Sequence, residues 1–233
     1  MNKEIEDLKC EVFKEDFLQY DLSFKIIVIG DISVGKSCLT LKATKDYFEN
    51  YYSPTVGFEF FTFNCKIDDL SIRLQIWDTC GQEEYRSLIQ NFYRNASLAI
   101  LVYSVDRIKT FENLGVWLNE VKIQANPDVK IFLIGNKIDL EERREVSTEN
   151  GKKFCKDNAL NLFLETSAKT GTNVKDVFTN AAKILYSEHT KYRSRVSRPD
   201  SFIKLPPSAE EDQDIIENEE DGQQPRKKGC CSG

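Results

Sequence analysis

Short apolar runs alternate with amphipathic stretches along the chain from residue 24 onward. Four runs have the length and composition of buried parallel strands, and they span residues 24–29, 98–103, 131–134 and 162–164. Helical spacing separates or follows them, and the last helical stretch repeats apolar residues on one face (Val174, Val177, Phe178, Ala181 and Leu185). Strands that alternate with helices predict βαβ units, right-handed crossovers and a mostly parallel sheet.

One pair of neighbouring runs has a period of two, which predicts a β-hairpin. Residues 58–67 and 70–78 flank a short turn, and apolar residues occupy alternate positions of the second run (Leu70, Ile72, Leu74 and Ile76). The same parity places Phe60 and Trp77 on the polar face. Either a neighbouring helix covers them or they form an apolar patch for a partner. Together the runs predict a doubly wound α/β fold with a six-stranded, mostly parallel sheet and flanking helices.

Composition narrows the functional classes. A net charge of −6 and a pI near 5.1 argue against a nucleic-acid-binding surface, which needs a basic patch. The seven cysteines are scattered without metal-ligand spacing, and this indicates free thiols in a reducing cytosol. Because His189 is the only histidine, a Ser-His-Asp triad or a His-ligated zinc site is hard to build.

The polarity of its two ends divides the chain into three segments: an N-terminal extension (1–21), a globular domain (22–189) and a disordered tail (190–233). The extension starts with MNKE, which is charged and has no apolar run, so we expect no secretory signal. Myristoylation is not expected either, because it requires a glycine after the first methionine. Within it, Phe13, Phe17 and Leu18 fit one short amphipathic turn. The tail carries an acidic run at 210–221 and is too polar to fold alone.

A glycine-rich motif follows the first predicted strand. Residues 30–37 have the sequence GDISVGKS, and a helix is predicted to start at their end. The glycines let the backbone curl until its N–H groups converge on phosphate oxygens. Lys36 adds a point charge and Ser37 a hydroxyl for Mg²⁺. The motif therefore predicts a loop that binds the phosphates of a nucleotide.

Two later segments select the base. Residues 136–139 (NKID) follow one predicted strand, and residues 165–169 (ETSAK) follow another. The Asp139 carboxylate can accept hydrogen bonds from guanine N1–H and the exocyclic amine, a donor pair that adenine lacks. Each segment alone is equally compatible with an ordinary solvated loop. The two segments together, each at the carboxyl edge of the same sheet, favour guanine as the base. They disfavour a kinase or ATPase of the phosphate-loop type.

These motifs carry a family resemblance. The set GDISVGKS, SPTVGF, WDTCGQE, NKID and ETSAK resembles the five nucleotide-binding motifs of the Ras-like small GTPases, over residues 24–189. Within that group the chain resembles the Rab proteins, in VGFEF, RLQIW, RSLI, FYRN, LVYSV and a C-terminal CCSG. Two longer stretches, LIGNKIDLEERREV and LETSAKTGTNV, look most like the Rabs of the endoplasmic reticulum, Golgi and early endosome routes.

The resemblance implies a Mg²⁺-dependent switch that hydrolyses GTP to GDP. Ser37, Thr55 and Asp78 would hold the metal, and Gln82 would orient the attacking water. The nucleotide would be contacted from the matching positions, which are Ser33, Val34, Gly35, Lys36, Ser37, Cys38, Phe48, Thr55, Gly81, Asn136, Lys137, Asp139, Ser167, Ala168 and Lys169.

The resemblance also implies partners and a membrane anchor. GTP would order residues 47–57 and 79–92, and effectors of vesicle traffic would then bind an aromatic set (Phe60, Trp77 and Phe92). An exchange factor, an activating protein, a prenylation escort and a GDP-dissociation inhibitor would act on a monomer. Geranylgeranyl groups on Cys230 and Cys231 would hold it on the cytoplasmic face of endomembranes.

Three positions depart from the family pattern. Ile32 stands where a small residue is usual, and its β-branched side chain would crowd the place where Gln82 positions water. Ser33 replaces a common glycine, and Cys80 replaces an alanine. These departures leave an alternative open, which is a slowly hydrolysing, GTP-holding membrane adaptor.

Overall fold

The elements follow one another in an alternating α/β order. This computed structural model describes Ile5 and residues 7–13, 19–48, 57–80 and 92–196, with side chains up to residue 194. The strands are β1 (Cys10–Phe13), β2 (Leu22–Ile29), β3 (Phe58–Ile67), β4 (Leu70–Thr79), β5 (Leu98–Ser104), β6 (Lys130–Asn136) and β7 (Leu162–Thr166). The helices are α1 (Lys36–Lys45), α2 (Ile108–Glu112), α3 (Leu114–Gln124), α4 (Thr148–Asp157) and α5 (Val174–Val196), with a 3₁₀ segment at Ile138–Arg143.

The strands form one sheet in the order β1-β3-β4-β2-β5-β6-β7. Strands β4, β2, β5, β6 and β7 are parallel to one another, whereas β3 runs antiparallel to both β4 and β1. The predicted α/β class with a mostly parallel sheet is confirmed. The described sheet has seven strands instead of six because part of the N-terminal extension pairs with β3, with Cys10 opposite Ile67 and Phe13 opposite Asn64.

The extension therefore contributes a strand where an amphipathic turn was expected. Phe13 lies in β1, and the other two residues of the expected turn lie outside the described residues. Leu8 and Cys10 pack against the hydrophobic core on one face of the sheet. Tyr20 stacks on the Arg73 guanidinium at 4.6 Å, and Asp21 pairs with Ser71, so the chain is also held beside β4 before β2 begins.

Apolar layers cover both faces of the sheet. One layer combines inward-facing residues of β3 and β4 with α1 and α5, and the other combines β5 with α3. Every residue of β5 is buried, as expected for a central parallel strand between two layers of helices. In the part of the chain that the structure describes, no helix is both long and apolar enough to cross a bilayer.

The hairpin has the predicted parity. On β3 the residues at alternate positions are buried (Phe61, Phe63, Cys65 and Ile67), whereas Phe58 and Phe60 are each 48% exposed. The pairing register sets Phe60 directly opposite Trp77 of β4. The expectation that large aromatic residues reach the polar face of the hairpin is therefore confirmed.

Candidate nucleotide-binding site

Three loops meet at the carboxyl edge of the parallel strands. The phosphate loop, residues 30–35, leaves β2 and enters α1. Residues 137–139 leave β6, and residues 167–169 leave β7. Because β2, β5, β6 and β7 are all parallel, their carboxyl ends share one edge, where α/β proteins place their ligands. We call this region the nucleotide edge.

Two glycines shape the phosphate loop. Gly30 has φ 141°, and a Cβ there would lie 2.1 Å from the carbonyl oxygen of Val102, so this turn admits no side chain. Gly35 has φ 94°, and a Cβ there would lie 2.5 Å from the Asn136 amide nitrogen. Ser33 also adopts a positive φ of 59°, at the position where glycine is common in the resembling family.

Lys36 lies buried under the loop. Its Nζ donates to the carbonyl oxygens of Gly30 and Asp31, at 2.8 and 3.0 Å. Burial lowers the pKa of Lys36 to about 8, and the nearby charge of Asp78 opposes that shift. A phosphate group would supply the close negative charge that this buried ammonium needs, so the loop is suited to a polyphosphate.

Ser37 and Asp78 form the described part of the predicted metal site. The Ser37 hydroxyl donates to Asp78 Oδ2. Among the described residues nothing donates to the other carboxylate oxygen, Oδ1, although Asp78 is fully buried. Burial raises the pKa of Asp78 to about 7, against the opposing effects of the Ser37 hydrogen bond and the Lys36 charge. A buried, unpartnered carboxylate oxygen beside a hydroxyl fits the all-oxygen ligation that Mg²⁺ prefers.

Asn136 joins the three loops. Its Nδ2 donates to the carbonyl oxygen of Val34 at 2.9 Å. Its Oδ1 accepts from the Thr166 hydroxyl at 3.1 Å and from the Ala168 backbone N–H at 3.2 Å. The side chain is almost fully buried, so each polar atom has a partner within the fold. Asn136 therefore holds the phosphate loop against the segment after β7.

Asp139 and Ser167 meet at the mouth of the site. The Ser167 hydroxyl donates to Asp139 Oδ1 at 2.6 Å, and it accepts from the Thr170 N–H at 3.1 Å. Lys137 takes a left-handed conformation with φ 70°, which turns the chain from β6 into the 3₁₀ segment and leaves Asp139 exposed. Lys169 is also exposed, and burial lowers the pKa of Lys137.

The structure adds a support that the sequence patterns did not indicate. Arg144 forms a salt bridge with Glu165 at 2.7 Å, and the Thr148 hydroxyl donates to the same carboxylate at 2.9 Å. Asn173 donates to the Glu165 carbonyl oxygen at 2.8 Å. These contacts fix the strand end that precedes Ser167. No local spacing links Arg144 to Glu165, which lies 21 residues further along the chain.

The remaining predicted site residues divide into described and undescribed positions. Cys38 is half-buried in the first turn of α1, Phe48 is half-buried after α1, and Cys80 is buried. Ile32 projects from the phosphate loop with 42% of its surface exposed. Five predicted residues lie outside the described residues, and they are Thr55, Gly81, Gln82, Cys230 and Cys231.

Four aromatic rings pack together on the outer face of the hairpin, and we call them the aromatic cluster: Phe58, Phe60, Trp77 and Phe92. Trp77 is central, with ring centroids 5.2 Å from Phe60, 5.1 Å from Phe92 and 5.3 Å from Phe58. Phe58 was not predicted as a member, although it has the same parity as Phe60. Its ring lies 4.6 Å from that of Phe92.

A comparison with protein families agrees with this geometry. The model of the Ras family matches residues 25–187, a span that includes the phosphate loop, the hairpin and the segments after β6 and β7. The match covers well over half of the chain. The chain therefore belongs to the Ras family, whose members are small GTPases that bind guanine nucleotides and hydrolyse GTP.

Proposed function

We propose that this small GTPase is a Rab-type switch that recruits effectors in intracellular vesicle traffic. The observation that carries the proposal is the adjacency of Trp77 and Asp78 on β4. Asp78 is buried beside Ser37, whereas Trp77 is the centre of the aromatic cluster on the opposite side of the strand. One strand end thus connects a site suited to the nucleotide's metal with an apolar surface suited to a partner.

Within this proposal each loop has a chemical task. The phosphate loop and Lys36 bind the phosphates, and Asp139 with Ser167 and Ala168 selects guanine. Ser37 and Asp78, together with Thr55, would hold a Mg²⁺, and the ion would supply positive charge against the phosphates. The family resemblance assigns Gln82 to orienting the attacking water, and the Gly81 N–H would donate to the terminal phosphate.

One observation favours a second candidate, a slowly hydrolysing adaptor that holds GTP on a membrane. Ile32 places a large β-branched side chain on the phosphate loop, and its carbonyl oxygen accepts a hydrogen bond from Arg107 at 3.0 Å. This contact fixes the backbone from which the side chain projects. A side chain fixed at this place would crowd the water or a residue supplied by an activating protein.

The membrane part of the proposal rests on the tail sequence. Residues 226–233 read RKKGCCSG, so two adjacent cysteines follow three basic residues. Two geranylgeranyl chains anchor firmly where one binds reversibly, and the basic residues attract anionic lipid. We place the anchored protein on the cytoplasmic face of the endoplasmic reticulum, Golgi or endosomes. A prenylation escort and a GDP-dissociation inhibitor would cycle it through the cytosol.

Capture of partners by nucleotide-loaded protein tests the proposal. Immobilised full-length protein should capture effectors from its own cells when it carries a non-hydrolysable GTP analogue, and should lose them when it carries GDP. Phe60→Ala should lower that capture at least several-fold and leave GDP affinity unchanged, because the ring lies on the surface away from the nucleotide edge. Tyr192→Ala is the matched control, since Tyr192 is an aromatic residue of similar exposure on α5.

Two outcomes would count against the Rab-type assignment. Equal capture in both nucleotide states would contradict the switch, and full capture by Phe60→Ala would remove the cluster from the partner surface.

The membrane anchor is tested separately. Replacing both Cys230 and Cys231 with serine should move the protein wholly to the soluble fraction with GTP binding intact, and membrane association that survives would place the anchor elsewhere.

A further inference from the structure

Three hydrogen bonds tie the phosphate loop to the region around α2 and α3. The indole N–H of Trp117 donates to Asp31 Oδ1 at 2.7 Å, and the Asn113 amide donates to Asp31 Oδ2 at 2.7 Å. Arg107 donates to the carbonyl oxygen of the next residue, Ile32, at 3.0 Å. Neither Asn113 nor Trp117 belongs to a nucleotide-binding motif, and both lie more than 80 residues from the loop in sequence.

The Asp31 carboxylate lies in an electrostatically sensitive place. Its backbone carbonyl accepts a hydrogen bond from Lys36, and its charge acts on the Lys36 ammonium. A carboxylate that turned toward Lys36 would compete with phosphate for that ammonium and would repel the phosphate as well. In the structure both carboxylate oxygens are instead bonded to neutral donors on the α3 side.

Both donors are carried by anchored parts of the fold. Trp117 is 1% exposed and packs in the apolar layer between α3 and the sheet, so its N–H has one available direction. Asn113 is exposed but lies at the junction where α2 ends and α3 begins, and its backbone N–H bonds to the carbonyl oxygen of Lys109. A buried indole and an amide at a hydrogen-bonded helix junction thus hold the Asp31 side chain on the α3 side of the loop.

We propose that Asp31 is a positioning residue, and that Trp117 and Asn113 hold its carboxylate on α3, which keeps the phosphate loop in its binding shape and leaves Lys36 to the phosphates. The inference rests on the proposed role of residues 30–37 in phosphate binding. It assigns to α3, outside the nucleotide motifs, control over how long the nucleotide stays bound. A partner that moved α3 would change the same rate.

The release rate of labelled GDP from full-length, Mg²⁺-loaded protein tests this proposal. Trp117→Phe removes the donor and keeps an aromatic ring, and Asn113→Ala removes the second donor from an exposed position. Each change should speed GDP release about tenfold, the effect of losing one hydrogen bond to a charged group. Asn158→Ala is the matched control, because Asn158 also donates from a helix end, to Phe154 of α4, and it should leave the rate unchanged.

A double-mutant cycle separates positioning from general stability. If the donors act through Asp31, adding Asp31→Ala to Asn113→Ala or to Trp117→Phe should give a rate no faster than Asp31→Ala alone. Unchanged release in Asn113→Ala, or rates that multiply in the double variants, would overturn the proposal. Should Trp117→Phe fail to fold, the Asn113 cycle decides alone. Wild-type protein that binds no GDP would instead refute the proposed site, which is a different result.

Discussion

The nucleotide edge and the hairpin differ in the contacts that their side chains make within the fold. At the nucleotide edge, Asn136, Ser167 and Asp139 are bonded to one another's loops, so the polar groups form a preassembled frame. On the hairpin, Phe58 and Phe60 pack with neighbouring rings, and each keeps about half of its surface exposed. A preassembled polar frame suits one small ligand, whereas an exposed apolar surface suits a partner protein that binds reversibly.

The two regions are physically joined. Asp78 and Trp77 are consecutive residues of β4, and the N–H of Cys80 just beyond donates to the carbonyl oxygen of Gly57 at 3.0 Å, where β3 begins. A change at Asp78 therefore reaches the aromatic cluster through one short piece of backbone.

The largest effect is expected for Asp139→Asn at the nucleotide edge. In the proposed complex the carboxylate would accept from two guanine donors, whereas an amide has one acceptor oxygen and turns its NH2 donor toward the base. GTP affinity should therefore fall on the order of a hundredfold or more, with a shift toward xanthine nucleotides. Titration with labelled GDP and xanthosine diphosphate measures it. Asp157→Asn, at an exposed salt bridge of α4, is the control and should bind as wild type. Unaltered guanine preference in Asp139→Asn would remove this residue from the base site.

Mg²⁺ binding should depend on pH through Asp78. Burial raises its pKa to about 7, so the folded, metal-free protein holds a proton that the unfolded chain has already lost above pH ~4. Stability of the metal-free form should therefore fall as pH rises from about 4 to 7, and Mg²⁺ should bind more tightly above pH 7, where the carboxylate is charged. Melting curves with EDTA and with Mg²⁺ across this range measure both trends.

The control for the pH experiment is Asp78→Asn, in which the pH-dependent part of the Mg²⁺ effect should disappear. The same slope in wild type and Asp78→Asn would assign the titration to another group. Below pH ~4 the free energies of unfolding of metal-free wild type and Asp78→Asn should converge, because the wild-type carboxyl is then neutral in both the folded and the unfolded chain.

A smaller effect is expected at the phosphate loop. Ile32→Ser should speed activator-stimulated hydrolysis several-fold, because the smaller side chain would leave room for the water that Gln82 is proposed to orient. Single-turnover hydrolysis with and without a cognate activating protein measures the change. Val116→Ser, an exposed aliphatic residue on α3, controls for loss of surface hydrophobicity. A rate that stays the same or falls would show that Ile32 does not obstruct the site and would weaken the adaptor alternative.

Local motifs made the nucleotide edge predictable from sequence. The phosphate loop and the NKID segment are contiguous, and the period of two in the hairpin fixed which face Phe60 occupies. Phe58 has the same parity as Phe60, so the period of two also predicts it on that face. Strand β1 was missed because four residues of mixed polarity carry little periodicity, and their partner strand lies more than 50 residues away.

The side-chain contacts that support the site from neighbouring elements could not be predicted from the sequence for a related reason. Arg144 reaches Glu165, and Trp117 reaches Asp31, only because the sheet order brings their elements together. Each of these side chains is ordinary in its own local sequence: Trp117 has the spacing of a core residue, and Arg144 lies in a run of charged residues of both signs. Contacts of this kind depend on tertiary packing, which a pattern along the chain does not encode.

Hydrogen exchange in the GDP state and in the state loaded with a GTP analogue tests the contrast most directly. The amides of Ser167 and Ala168 are bonded within the frame, to Thr172 O and Asn136 Oδ1, and we expect equal protection in both states. The Cys80 amide and the first residues of β3 should become more protected with the GTP analogue. Identical exchange at the hairpin end in both states, or opening of the 167–168 amides, would contradict the account.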